Sequence, residues 1–142
     1  MTEAHEFKQT SHLDPVLAEP ATRELNAGKL LGRWLNTNRE SRGVSEFAVG
    51  RDAEGFFVRA VGVGDAAPVE WPAARAEVWA NLEEESGQRA IALSALFDFG
   101  FQRAETYVRL NKGVLVVVFY HTFLDRSGRS DYVTREFYYR PD

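Results

Sequence analysis

Gly32-Arg33-Trp34-Leu35-Asn36 opens the first strand-like segment of a chain that then reads as one strand after another. A Gly-x-Trp at the start of a run of short strands looks like the entry to a small, closed antiparallel barrel. From residue 30 onward the segments are short, rich in β-branched and aromatic residues, and punctuated by turn residues, as strands are. The strand segments fall at about 30–37, 44–51, 55–63, 73–81, 89–97, 101–111, 114–124 and 130–140. Their connections support the division. Arg51-Asp52-Ala53-Glu54-Gly55, Asn111-Lys112-Gly113 and Asp125-Arg126-Ser127-Gly128 are short and supply residues that accept positive φ. Asp98-Phe99-Gly100 joins two strands almost without a loop. The connections 64–72 and 82–88 are longer and are expected to flank a barrel mouth. Without crossover helices the expected fold is all-β: an up-and-down antiparallel β-barrel of about eight strands. Such a barrel is wide enough for its own side chains or for one small ligand.

Upstream of residue 30 the chain changes character. Residues 1–12 are polar. Asp14-Pro15 can start a helical turn, with Asp as cap and Pro at the first helical position. Pro20 interrupts it, and 21–27 can form a second short helix ended by Gly28 in the left-handed conformation. The organisation expected is a tail and short helix over 1–29 and a single barrel domain over 30–142.

Composition narrows the function classes. A chain of 142 residues fits one domain. It has no cysteine, which excludes disulfides and cysteine-ligated metal sites and fits a cytoplasmic location. The opening residues lack the apolar core of a signal peptide, and no run approaches the roughly 20 apolar residues of a membrane span. The net charge of −4, with both signs interspersed, argues against nucleic acid or an anionic membrane as partner. Ten Phe, five Tyr and three Trp are a surplus that suits strands and binding pockets alike.

Alternation assigns faces. On 101–111, Ala104, Thr106, Val108 and Leu110 read as buried, and Arg103, Glu105, Tyr107, Arg109 and Asn111 as solvated. The 114–124 strand is apolar on both sides, so its outer face is expected to be covered by the N-terminal segment or by a second copy in a homodimer.

Gly32-x-Trp34 after a short helical approach is similar to the first-strand signature of the calycins: lipocalins, fatty-acid-binding proteins and avidins. The resemblance implies that Trp34 plugs the closed end of the barrel and that an arginine from the last strand crosses it. Arg140 is placed for that part, with Arg135 as the alternative. Locally the motifs resemble avidins most. Gly32-x-Trp34-x-Asn36 is similar to their opening, and Phe123-x-Asp125-Arg126-x-Gly128, then Thr134 and Arg140, to their late hairpin. Asn36 matches the position that contacts the biotin head group in avidins. The avidin tryptophan set and strand spacing are not reproduced, so the resemblance implies an architecture rather than biotin.

The candidate ligand-contacting residues are Trp34, Asn36, Trp79, His121, Glu136 and Tyr138. Trp34 reads first as a plug. Asn36 shares its face and either meets a ligand or caps a turn. His121, inside an apolar strand, reads as a hydrogen-bonded core histidine, with acid–base work as the alternative. Tyr132, Thr134, Glu136 and Tyr138 share one side of the last strand, read as a solvated face. Turned inward, they would set Glu136 between phenols as a buried carboxylate suited to acid–base work. Trp79 shares a side with Arg75 and Glu77, as a lumen platform or a surface stripe. No metal site, cofactor motif, phosphate loop or nucleophile elbow is visible. The reading favoured by these residues is a calycin-like binding protein for a small, largely apolar molecule. The alternatives are a cofactor-independent cyclase or isomerase using His121, Glu136 and Tyr138 in the same cavity, and an interaction module that forms a homodimer.

Overall fold

The computed structural model describes residues 26–80 and 89–141. Nine strands run in order: β1 (Gly32–Asn36), β2 (Val44–Asp52), β3 (Gly55–Gly62), β4 (Val69–Glu70), β5 (Ala74–Ala80), β6 (Ala90–Asp98), β7 (Gln102–Asn111), β8 (Val114–Phe123) and β9 (Tyr132–Tyr139). Neighbours pair antiparallel in the order β2-β1-β9-β8-β7-β6-β5-β3, and β2 pairs with β3 to close the ring. Eight strands therefore form a closed up-and-down barrel, as the alternation predicts. The two-residue β4 pairs only with the far end of β3, Val61 with Glu70 and Gly62 with Val69. Among the described residues, closure leaves the short β4 as the one strand with an unpaired side.

The strand limits agree with the sequence reading to within two residues, and the largest differences have local causes. Leu30 and Leu31 are in a turn rather than in β1, because both of their N–H groups donate to the Ala27 carbonyl. The left-handed stop expected at Gly28 is absent; the glycines with positive φ are Gly32, Gly55, Gly64, Gly100, Gly113 and Gly128. Asn26 instead forms a parallel bridge with Arg89, and its side-chain oxygen accepts the Gly28 N–H at 2.9 Å. The helical turns expected before it lie outside the described residues. The described residues contain no helix, and so none long and apolar enough to cross a membrane.

Inward side chains fill the lower barrel. Trp34, Phe47, Phe97, Phe119 and Tyr138 are all buried to within 1% exposure. Phe47 meets Phe119 edge-on at 6.3 Å and Tyr138 at 6.2 Å. On β7 the split is as expected: Ala104, Thr106 and Val108 are buried and Glu105, Tyr107 and Arg109 exposed. On β8 the inward set is Leu115, Val117, Phe119 and His121. Its outer side carries the half-buried Val116 and Val118 and the exposed Tyr120, beside the exposed Tyr107, Val133 and Phe137.

Trp34 closes one end. Its indole Nε1–H donates to the Leu30 carbonyl at 2.9 Å. The Arg140 guanidinium lies 4.3 Å above its ring and donates to the Leu31 and Lys29 carbonyls, both at 2.6 Å. Arg140 is thus the arginine the resemblance implied; Arg135 lies over Phe137 on the outer wall. Gly32 is required beneath this arrangement. It has a φ of 114°, and a Cβ there would stand 2.7 Å from Arg140 Nη1. The Gly-x-Trp pattern therefore records where the arginine passes.

Candidate functional site

The other end of the barrel is open. Four connections surround it: 37–43, 63–73, 99–101 and 124–131. They enclose a cavity of about 1020 Å³. Its wall is aromatic, with Trp71, Phe99, Phe101, Phe119, Phe123 and Tyr132. Its polar groups include Gln102, His121, Thr134 and Glu136.

Trp71 organises the mouth. It sits in the connection between β4 and β5, and its backbone N–H donates to the Ala60 carbonyl at 2.9 Å. That bond turns the indole in toward the lumen, where it meets the edges or faces of Phe97, Phe99 and Phe119 at 4.9–5.7 Å. Gly62 makes room for it: a Cβ there would lie 2.9 Å from the Trp71 indole nitrogen. Trp71 is the site residue that strand periodicity misses. Its one sequence signal is a tryptophan set between Glu70 and Pro72 in a connection too polar and proline-rich to need one.

His121 projects from β8 into the same mouth and is 7% exposed. Its ring stacks on Tyr132 at 4.3 Å and 11°. Its Nδ1 lies 2.8 Å from Gln102 Nε2. An amide nitrogen only donates, so Nδ1 is the acceptor and the neutral ring carries its proton on Nε2. Burial pushes the imidazole below its ordinary value of 6.5. The unfolded chain then binds the proton more readily, so this contribution to stability is complete above about pH 6.5 and is lost as pH falls toward the depressed folded value. In urea unfolding, stability is expected to decline between pH 7.5 and 5.5, and His121→Gln is expected to flatten that decline. Asp52, held to about 2 mainly by its hydrogen bond to Arg75, titrates too low to produce it.

The last strand is turned the other way from the solvated reading. Thr134, Glu136 and Tyr138 face inward, because Tyr138 pairs with Leu115 and Glu136 with Val117 beside the inward residues of β8. Tyr138 is fully buried and donates to the Val44 carbonyl at 2.8 Å. Burial, with the Glu136 carboxylate beside it, pushes the phenol far above its ordinary value. Glu136 is half-buried and accepts from the Ser41 hydroxyl.

The remaining candidates divide. Trp34 belongs to the closed end. Asn36 is 8% exposed and spends both ends of its amide on the chain, donating to the Val44 carbonyl at 2.9 Å and accepting from Asn38 N–H at 2.8 Å. Its observed bonds are those of the turn-capping alternative. Trp79 is 55% exposed on the outer wall, where a groove joins it to Tyr107, Arg109, Val116 and Phe137. The lumen alternative for Trp79 is corrected: Ala74, Ala76 and Val78 take the inner face of β5 and send Arg75, Glu77 and Trp79 outward.

The mouth thus brings His121 and Glu136 to one cavity, with Tyr138 beneath Glu136. They are not adjacent. Glu136 pairs with Val117, four residues from His121 along β8. At a strand rise of about 3.3 Å per residue, their backbones are about 13 Å apart. A second concavity, of about 810 Å³, lies at the closed end with Lys29, Arg109, Lys112 and Arg140 on its wall, but the one aromatic among its described lining residues, Trp34, is committed to the plug. Compared with protein-family models, with curated proteins and with solved structures, the chain matches none.

Proposed function

We propose that this protein is a calycin-like binding protein that holds one small, largely apolar molecule in the open mouth of its barrel. The observation that carries this reading is the asymmetry of the two ends. Among the described residues one end is filled by Trp34, Arg140 and the packed rings above them, while the other opens into an aromatic-lined cavity of about 1020 Å³. Concave, mainly apolar walls with a few fixed polar groups are what small-molecule sites require. The fixed groups here are His121, held by Gln102 and Tyr132, and Glu136, held by Ser41. Pre-set partners of this kind reduce the ordering cost of binding.

The geometry favours binding over isomerisation. A proton relay between His121 and Glu136 would need both at one reacting bond, and their strand positions are about 13 Å apart. Tyr138 is a neutral donor already committed to a backbone carbonyl and makes a poor general acid.

The three tryptophans make the test selective. Trp34 is sealed in the floor, Trp79 is outside, and Trp71 lies in the mouth. Adamantylmethanol, which does not fluoresce, is expected to shift the protein emission to the blue in a saturable way. Trp71→Phe is expected to remove most of that shift and Trp79→Phe to leave it. A shift that survives in Trp71→Phe and disappears in Trp79→Phe would move the site to the outer wall.

A further inference from the structure

The floor of the mouth carries a charge whose hydrogen bonds are incomplete. Ser41 Oγ accepts the Gly43 N–H at 3.1 Å, so its own hydrogen is free to go to Glu136 Oε1. The other oxygen, Oε2, faces the Tyr138 hydroxyl at 3.2 Å. A phenol has one hydrogen, and the Val44 carbonyl, at 2.8 Å, is the nearer acceptor. Oε2 is therefore left with at most the weaker share of one donor. No described Arg or Lys forms an ion pair with Glu136 among the contacts within 4.0 Å. The Gly43 backbone passes beside this carboxylate, and a Cβ there would stand 3.2 Å from Oε2.

The other charges at the mouth differ in kind. Arg129 is engaged with Asp125 at 2.5 Å and lies 4.2 Å from the Phe123 ring centre. Arg42, Asp65 and Glu70 are on the exposed rim. Glu136 alone among these lining charges is half-buried, and it lies deeper than the rim residue Tyr132 on the same strand. A carboxylate so placed gains most from a donor that also carries positive charge, because such hydrogen bonds are about twice as strong as neutral ones. Trp71 and Phe119 line the same cavity, and the faces of aromatic rings attract cations rather than anions.

We propose that the mouth selects molecules that carry a cationic nitrogen, an ammonium or amidinium, on an apolar body, with the N–H groups reaching Glu136 and the body packing against Trp71 and Phe119. This rests on the binding reading above and adds the charge of the ligand to it.

Three probes with one apolar body separate the two readings: adamantylmethylammonium, adamantylmethanol and adamantanecarboxylate, titrated calorimetrically at pH 7.5 into the full chain. The ammonium is expected to bind about tenfold to a hundredfold more tightly than the alcohol, and the carboxylate more weakly than either. Glu136→Gln is expected to bring the ammonium-to-alcohol ratio near one. Equal affinity of ammonium and alcohol for the native chain overturns the charge selection while leaving the binding reading standing, and needs no variant. A ratio that persists in a folded Glu136→Gln protein removes Glu136 as its cause and overturns the proposal. If none of the three probes binds, both readings fall.

Discussion

Trp34→Ala is expected to destabilise the protein by about 3–5 kcal/mol, the usual cost of emptying a buried aromatic site. A domain of this size has about 7–20 kcal/mol in total at typical per-residue stability, so the loss is a large share of it. The cost has three sources. The indole is 1% exposed and its removal leaves a void at the barrel floor. The Leu30 carbonyl loses its donor. Arg140 loses the ring on which it lies. Trp34→Phe separates them, since it refills most of the volume without restoring the N–H. Its cost is expected at about 1–3 kcal/mol, the range for a buried acceptor left unsatisfied. Urea unfolding followed by circular dichroism measures both. A Trp34→Ala protein within 1 kcal/mol of the native one, on the order of the error in such extrapolations, would show that the floor is not sealed by this residue.

Gly32→Ala is the second large effect, at about 2–3 kcal/mol. A side chain at a φ of 114° costs about 1–2 kcal/mol by itself. The new Cβ would also stand 2.7 Å from Arg140 Nη1 and push the guanidinium off Trp34. That cation–π contact is on the surface side and is worth about 0.5–1 kcal/mol. The two carbonyl hydrogen bonds of Arg140 move with it. A double-mutant cycle distinguishes the parts. In an Arg140→Ala background, Gly32→Ala is expected to cost only the backbone share, about 1 kcal/mol less than in the native chain. Full additivity of the two substitutions would mean that glycine is needed for its φ alone. At this chain length each kcal/mol shifts the melting temperature by about 2–4 °C, so the coupling is measurable by calorimetry as well.

The barrel was legible because closure obeys local rules. Period-two alternation and short turns with residues that accept positive φ determine an up-and-down meander, and Gly55, Gly113 and Gly128 all take positive φ at the joins. The floor was legible through the resemblance to calycins, which implied that Arg140 crosses Trp34, and closure sets β1 beside β9, the strand Arg140 follows. The mouth was harder to read. Whether the 132–138 row faces in or out is decided by its register with β8, which its own mixed polarity does not reveal. Trp79 was ambiguous for a related reason. The opposite side of β5 carries alanines and a valine, and only the crowding of the lumen by Trp71, Phe97 and Phe119 explains why small residues suffice there. Trp71 itself was invisible to strand patterning, because a loop residue folded back into a lumen has no period.

Nitrogen-15 heteronuclear correlation spectra of the full chain during titration with adamantylmethanol test the central claim most directly, because every backbone amide reports at once. The account predicts saturable shifts concentrated at Gln102, Phe119, His121, Thr134 and Glu136, with Gly28 and Gly113 at the closed end unmoved. Shifts confined to Tyr107, Val118 and Tyr120 on the outer wall, or no saturable shift at all, would contradict it.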